Sequence, residues 1–115
     1  MAARFPTRDR DGSFTIAARF RSSNTHARTH VAAIIADAIA RREVGGAPAF
    51  TSHFHGPPSV ERQDEEVFDV VFHGSAESPR TWKDWLVMLV RELEAPEYGL
   101  RFESFIDRVS GRRHP

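Results

Sequence analysis

The sequence predicts an α+β fold, a βαββαβ ferredoxin-like plait in which a four-stranded antiparallel sheet carries two helices on one face. Three observations lead there. Apolar and polar residues alternate over Ser13 to Arg21, the period of a half-buried strand, and Val67 to His73 is a short β-branched and aromatic run with Phe68, Val70 and Phe72 on one face. Two longer stretches space their apolar residues by threes and fours, the period of an amphipathic helix. Glycine and proline clusters separate the segments in the order β-α-β-β-α-β.

The first strand places Phe14, Ile16, Ala18 and Phe20 on one face. Ser22-Ser23-Asn24-Thr25 then offers capping side chains for a helix running to Val44, with Ala27, Val31, Ile34, Ile35 and Ala38 on its inner face. Gly45-Gly46 and Pro48 end it. Residues 49–55 are read as the second strand, with Phe50 and Phe54 inward, and the acidic stretch Glu61 to Glu66 as a solvated loop. Val67 to His73 is the third strand. Ser78-Pro79 starts the second helix, which runs to Glu94 and buries Trp82, Trp85, Leu86, Leu89 and Leu93. Leu100 to Val109 is the last strand. The expected organisation is a flexible arm over 1–12, a single α+β domain over 13–110 and a basic tail over 111–115.

Composition narrows the function classes. The 115 residues are 40% hydrophobic and 28% charged, with a formal net charge of zero, so no global field steers the chain to nucleic acid or to a membrane surface. Without cysteine there is no disulfide, thiolate nucleophile or cysteine-ligated metal, which fits a reducing cytoplasm. Lys83 is the only lysine among sixteen basic residues, the bias of a GC-rich bacterial genome. No apolar leader follows Met1, and the apolar runs, Leu86 to Val90 among them, are far too short to span a bilayer.

With both helices on one side, the other sheet face must meet solvent or a partner. Its expected residues are Thr15, Ala17, Arg19 and Arg21, then Thr51, His53 and His55, then Val67, Asp69, Val71 and His73, and finally Arg101, Glu103, Phe105 and Asp107. Val67, Val71 and Phe105 would form an apolar centre inside a charged rim, the pattern of a modest protein interface. In a symmetric dimer, Arg19 or Arg21 would meet Asp69 or Asp107 of the mate. The sequence argues against RNA on this face, because Phe105 is its only stacking platform.

The histidines suggest two other chemistries. His26 and His30 stand four apart on a helix, a spacing that can hold a metal through two imidazoles, although a third ligand must come from elsewhere. His53 or His55 could act as general base, with Asp69 orienting it and Arg19 holding an anionic substrate. No phosphate-cradling loop, nucleophile elbow or dinucleotide fingerprint accompanies them. In the second helix, Val87, Met88 and Val90 widen the apolar surface beyond the core stripe, leaving Lys83, Asp84, Arg91 and Glu94 on a narrow polar side.

The sequence thus favours a small non-enzymatic protein-binding module, of accessory, inhibitor or immunity type. It would need no cofactor and would bind another protein or a second copy of itself through the open face, with Val87 and Met88 as a second surface. The rivals are a small dimeric enzyme or ligand-binding protein built on His53, His55, Asp69 and Arg19, and a metal-binding protein using His26 and His30.

Overall fold

The computed structural model describes residues 5–114, so Met1 to Arg4 of the expected arm and Pro115 of the tail lie outside it. Its elements in chain order are β1 (Phe14–Arg21), α1 (Thr25–Thr29), α2 (Val31–Val44), a 3-10 turn (Phe50–Ser52), β2 (Ser59–Arg62), β3 (Val67–Gly74), α3 (Trp82–Leu93), β4 (Arg101–Asp107) and β5 (Arg113–His114). The five strands form one antiparallel sheet in the order β2-β3-β1-β4-β5. The fold is therefore α+β with a five-stranded sheet and three helices; the strand count exceeds the four read from sequence because the basic tail contributes β5.

The main core lies between the sheet and α2 and α3. Phe14, Ile16, Ala18 and Phe20 of β1 and Phe68, Val70 and Phe72 of β3 meet Val31, Ile35 and Ala38 of α2 and Trp82, Trp85, Leu86, Leu89 and Leu93 of α3. These are the inward positions that period two and period 3.6 assign. Trp85 also satisfies its indole N–H by donating to the Pro48 carbonyl at 2.9 Å. Gly74 closes β3 opposite Phe14, where a Cβ would run into the phenyl ring, so only glycine fits.

Three elements differ from expectation, each for a local reason. The helix predicted over 25–44 is broken at His30, whose backbone is not helical (φ −114°, ψ 26°). Thr29 Oγ1 donates back to the Thr25 carbonyl at 2.8 Å, the kind of hydroxyl bond that bends helices. Residues 49–55 form a helical turn instead of a strand. Phe50 and Phe54 are both buried, but a spacing of four fits one helical turn as well as two strand repeats, and the Phe54 N–H bonds the Phe50 carbonyl at 3.0 Å. The second strand lies later, at Ser59–Arg62, within what was read as loop; all four of its residues are exposed, so no alternation marks it.

The third difference changes which residues share a face. The β1–β4 register shifts between Arg19 and Phe20: Phe20 pairs with Phe102, but Arg19 pairs with Ser104, leaving Glu103 as the extra residue of a β-bulge. A one-residue slip moves every following side chain to the other face. Phe105 therefore joins the helix side, where it packs against the main core, and Ile106 takes the open side opposite Ala17.

Candidate interaction surface

The open face consists of transverse rows fixed by strand register. One row is Glu61, Asp69, Arg19 and Ser104; the next is Ser59, Val71, Ala17, Ile106 and Arg113. In the first, Arg19 donates to both carboxylate oxygens of Asp69, at 2.8 and 3.0 Å. This bond raises the Arg19 pKa above its ordinary value, against the opposing effect of burial. Arg108, just beyond β4, donates to Asp69 Oδ2 and to Glu61 Oε1, each at 2.9 Å. The Asp69 side chain is only 1% exposed and holds two guanidiniums.

Arg108 also decides the fate of the apolar row. Its backbone N–H bonds Thr15, while its guanidinium reaches the Asp69 row, so its stem crosses the row between. Ala17 and Val71 beneath it are buried, as is Val67 nearby. The apolar centre expected here is corrected on two counts: Val67 and Val71 are covered by the chain itself, and Phe105 is on the other side. Arg19 meets Asp69 of its own chain, and Arg21 lies 3.6 Å from both Glu66 and Glu103. Asp107, expected to face a mate, instead accepts from the Thr7 N–H at 2.7 Å, Ser110 Oγ at 2.9 Å and the Val109 N–H at 3.0 Å. Burial opposes its ionisation, but these donors outweigh that effect and hold its pKa below the ordinary carboxylate value.

The expected acid–base group does not assemble. His53 follows the 3-10 turn and is buried on the helix side against Trp85. Its Nε2 lies 2.8 Å from Thr81 Oγ1, tying the turn to the start of α3, and its Nδ1 lies 2.9 Å from Ser52 Oγ within the turn. Asp69 and Arg19 are on the opposite face. His55 is exposed, and its backbone N–H bonds the His73 carbonyl at 2.7 Å. The difference lies in residues 49–55: a strand there turns His53 and His55 to the open side, whereas the helical turn buries His53 on the helix side.

His26 and His30 do come together, with ring centroids 4.5 Å apart on the exposed side of the α1–α2 bend. Among the described residues no group of three or more histidine, cysteine, aspartate or glutamate side chains is placed to hold a metal, so this pair offers two imidazoles.

The outer side of α3 is different. Val87 and Met88 stand next to each other at 37% and 45% exposure, while Trp85, Leu86, Leu89 and Val90 around them are buried. Val87 borders a groove of about 420 Å³ between α3, the N-terminal segment and β4–β5, walled by Phe5, Ile16, Trp82, Leu86 and Phe105. Met88 borders a shallower one of about 250 Å³ beside Pro48, His53, Thr81 and Trp85. The bulge in β4 thus puts Phe105 in the same groove as Val87, two residues that sequence reading had assigned to separate surfaces. No helix among the described residues is long and apolar enough to cross a membrane. In comparisons with known proteins, the chain matches no family model, no curated protein and no solved structure at a significant level.

Proposed function

We propose that the chain is a small non-enzymatic protein-binding module whose docking surface is the outer side of α3. The observation that carries this reading is the pair Val87 and Met88, adjacent, exposed and flanked on both sides by grooves with apolar walls. The positions of the candidate catalytic residues support it, since His53 is tied into the helix side while Asp69 and Arg19 satisfy each other on the open face. Of the two surfaces the sequence offers, this reading takes the helix, with Val87 and Met88, over the open face. The strand order, with helices crossing between β1 and β2 and between β3 and β4, supports reading the scaffold as a ferredoxin-like plait extended by β5. The lack of cysteine suits a cytoplasmic setting.

A photo-cross-linking side chain at position 87, with one at exposed Thr29 as control, tests the reading in cells. The expected outcome is a discrete protein adduct from position 87 and none from position 29. Equal or absent labelling at the two positions overturns it.

A further inference from the structure

We infer that the partner of this surface is a second copy of the chain, docked so that the two α3 helices run antiparallel about a two-fold axis between Val87 and Met88. The inference rests on the protein-binding reading above and adds the identity of the partner.

Five residues of α3 are exposed: Lys83 donates to the Phe5 carbonyl of its own chain at 2.7 Å, and Asp84, Val87, Met88 and Arg91 form the outward stripe. Their spacing, i, i+3, i+4 and i+7, places them on one face of a helix. In charge the stripe reads negative, apolar, apolar, positive. Asp84 precedes Val87 by three residues and Arg91 follows Met88 by three, so the two charges are equidistant from the midpoint of the apolar pair. A two-fold axis through that midpoint sets each Asp84 opposite the mate's Arg91 and each apolar pair against its own copy. A parallel pairing would set like charge against like. The stripe is complementary to itself in one orientation only.

The surroundings agree. Neither Asp84 nor Arg91 has an ion-pair partner among the described residues, and Arg91 Nη1 lies 4.0 Å from Met88 Sδ, along the stripe. The axis keeps Val87 on the same lateral side as its copy and does the same for Met88. Each Val87 then faces the groove walled by Leu86 and Phe105, and each Met88 the groove beside Trp85 and Pro48. This is ridge-into-groove packing at a small crossing angle.

Sedimentation velocity of the full chain, from micromolar to millimolar concentration, tests the arrangement. The wild type should sediment as a concentration-dependent dimer. Asp84→Arg or Arg91→Asp alone should weaken association by about tenfold or more, because each sets like charges face to face at both ends of the pair. An equimolar mixture of the two single variants should regain the dimer, since one helix then carries two positive charges and the other two negative. Met88→Asp should abolish it, with unchanged circular dichroism showing that the fold survives. A wild-type monomer throughout the range, or a dimer indifferent to the charge reversals, overturns the inference. If position 87 nevertheless cross-links a different protein, the protein-binding reading stands and the second copy is excluded; if it cross-links nothing, both fall.

Discussion

The open sheet face and the outer side of α3 both combine apolar residues with charges of both signs, yet they end in opposite conditions. On the sheet, the charges close on one another within the chain: Asp69 takes Arg19 and Arg108, and the Arg108 side chain spans from the Thr15 row to the Asp69 row across the buried Ala17 and Val71. On the helix, Asp84 and Arg91 flank Val87 and Met88, about 10 Å apart at 1.5 Å per residue and too far to pair with each other. An antiparallel sheet places opposite charges side by side on neighbouring strands, so it can satisfy them internally. On a helix such pairing needs a spacing of three or four, as in Asp37 and Arg41 of α2 at 3.1 Å; Asp84 and Arg91, seven apart, do not meet it, and in the proposed arrangement their complement is another molecule. Composition alone does not distinguish a finished surface from a docking surface; the distance between complementary groups does.

The strongest way to break this contrast is to remove Asp69. Asp69→Ala would leave Arg19 without its partner and Arg108 with Glu61 alone; because the two guanidiniums are 20% and 30% exposed, the loss should fall at the lower end of that for a broken buried pair, about 3 kcal/mol. Urea unfolding should show that loss as a lower midpoint. Sedimentation of the folded fraction should show no change in association, because the charges of this network close on one another within the chain. A variant that remains stable but changes oligomeric state would move the docking surface back to the sheet.

A smaller effect is expected at Asp107, which anchors the N-terminal segment through Thr7 beside the groove next to α3. Its pKa is depressed in the folded protein, so it contributes stability above its unfolded value of about 3.9 that is lost as pH falls through the folded value. Between pH 5 and pH 2 (roughly the range in which such a group titrates), the wild-type melting temperature should fall more steeply than that of Asp107→Asn. Near neutrality the variant should be less stable by about 1–3 kcal/mol, the cost of weakening hydrogen bonds to a buried charged acceptor. Parallel pH profiles for the two proteins would show that the carboxylate is not the group holding this segment.

The sequence revealed the parts of the molecule that depend on periodicity. The inward stripes of β1, β3 and α3 and the position of the last main strand follow from spacings of two and of three to four. It concealed features set by pairing with distant strands. Nothing in Arg101 to Asp107 announces a bulge at Glu103, which depends on how β4 meets β1, and that bulge alone turns Phe105 from the sheet face to the helix groove. Phe50 and Phe54 are spaced ambiguously, and the error there carried His53 and His55 with it. Ser59–Arg62 has no buried side chain and is a strand only because β3 offers a free edge. For the proposed docking surface, Val87 and Met88 are recognisable as excess apolar residues on a helix. The role of Arg108 was not, because its partners lie 39 and 47 positions away in the chain.

The smallest and sharpest change concerns Arg108 itself. If the open face is inert because one side chain covers it, Arg108→Ala should uncover the Val71–Ala17–Ile106 row without disturbing the backbone that carries it. The direct cost should be modest, about 1 kcal/mol, because Asp69 keeps Arg19 and the lost partner Glu61 is well exposed. The consequence for the surface should be larger in kind. An apolar strip over three strands would become accessible, and a hydrophobic dye such as ANS should bind the variant and not the wild type. Added to Met88→Asp, the same change should produce weak association through the sheet in a chain whose helix surface is disabled. Failure to bind dye would mean that the neighbouring strands bury Ala17 and Val71 without Arg108, and that the open face is closed by sheet packing alone.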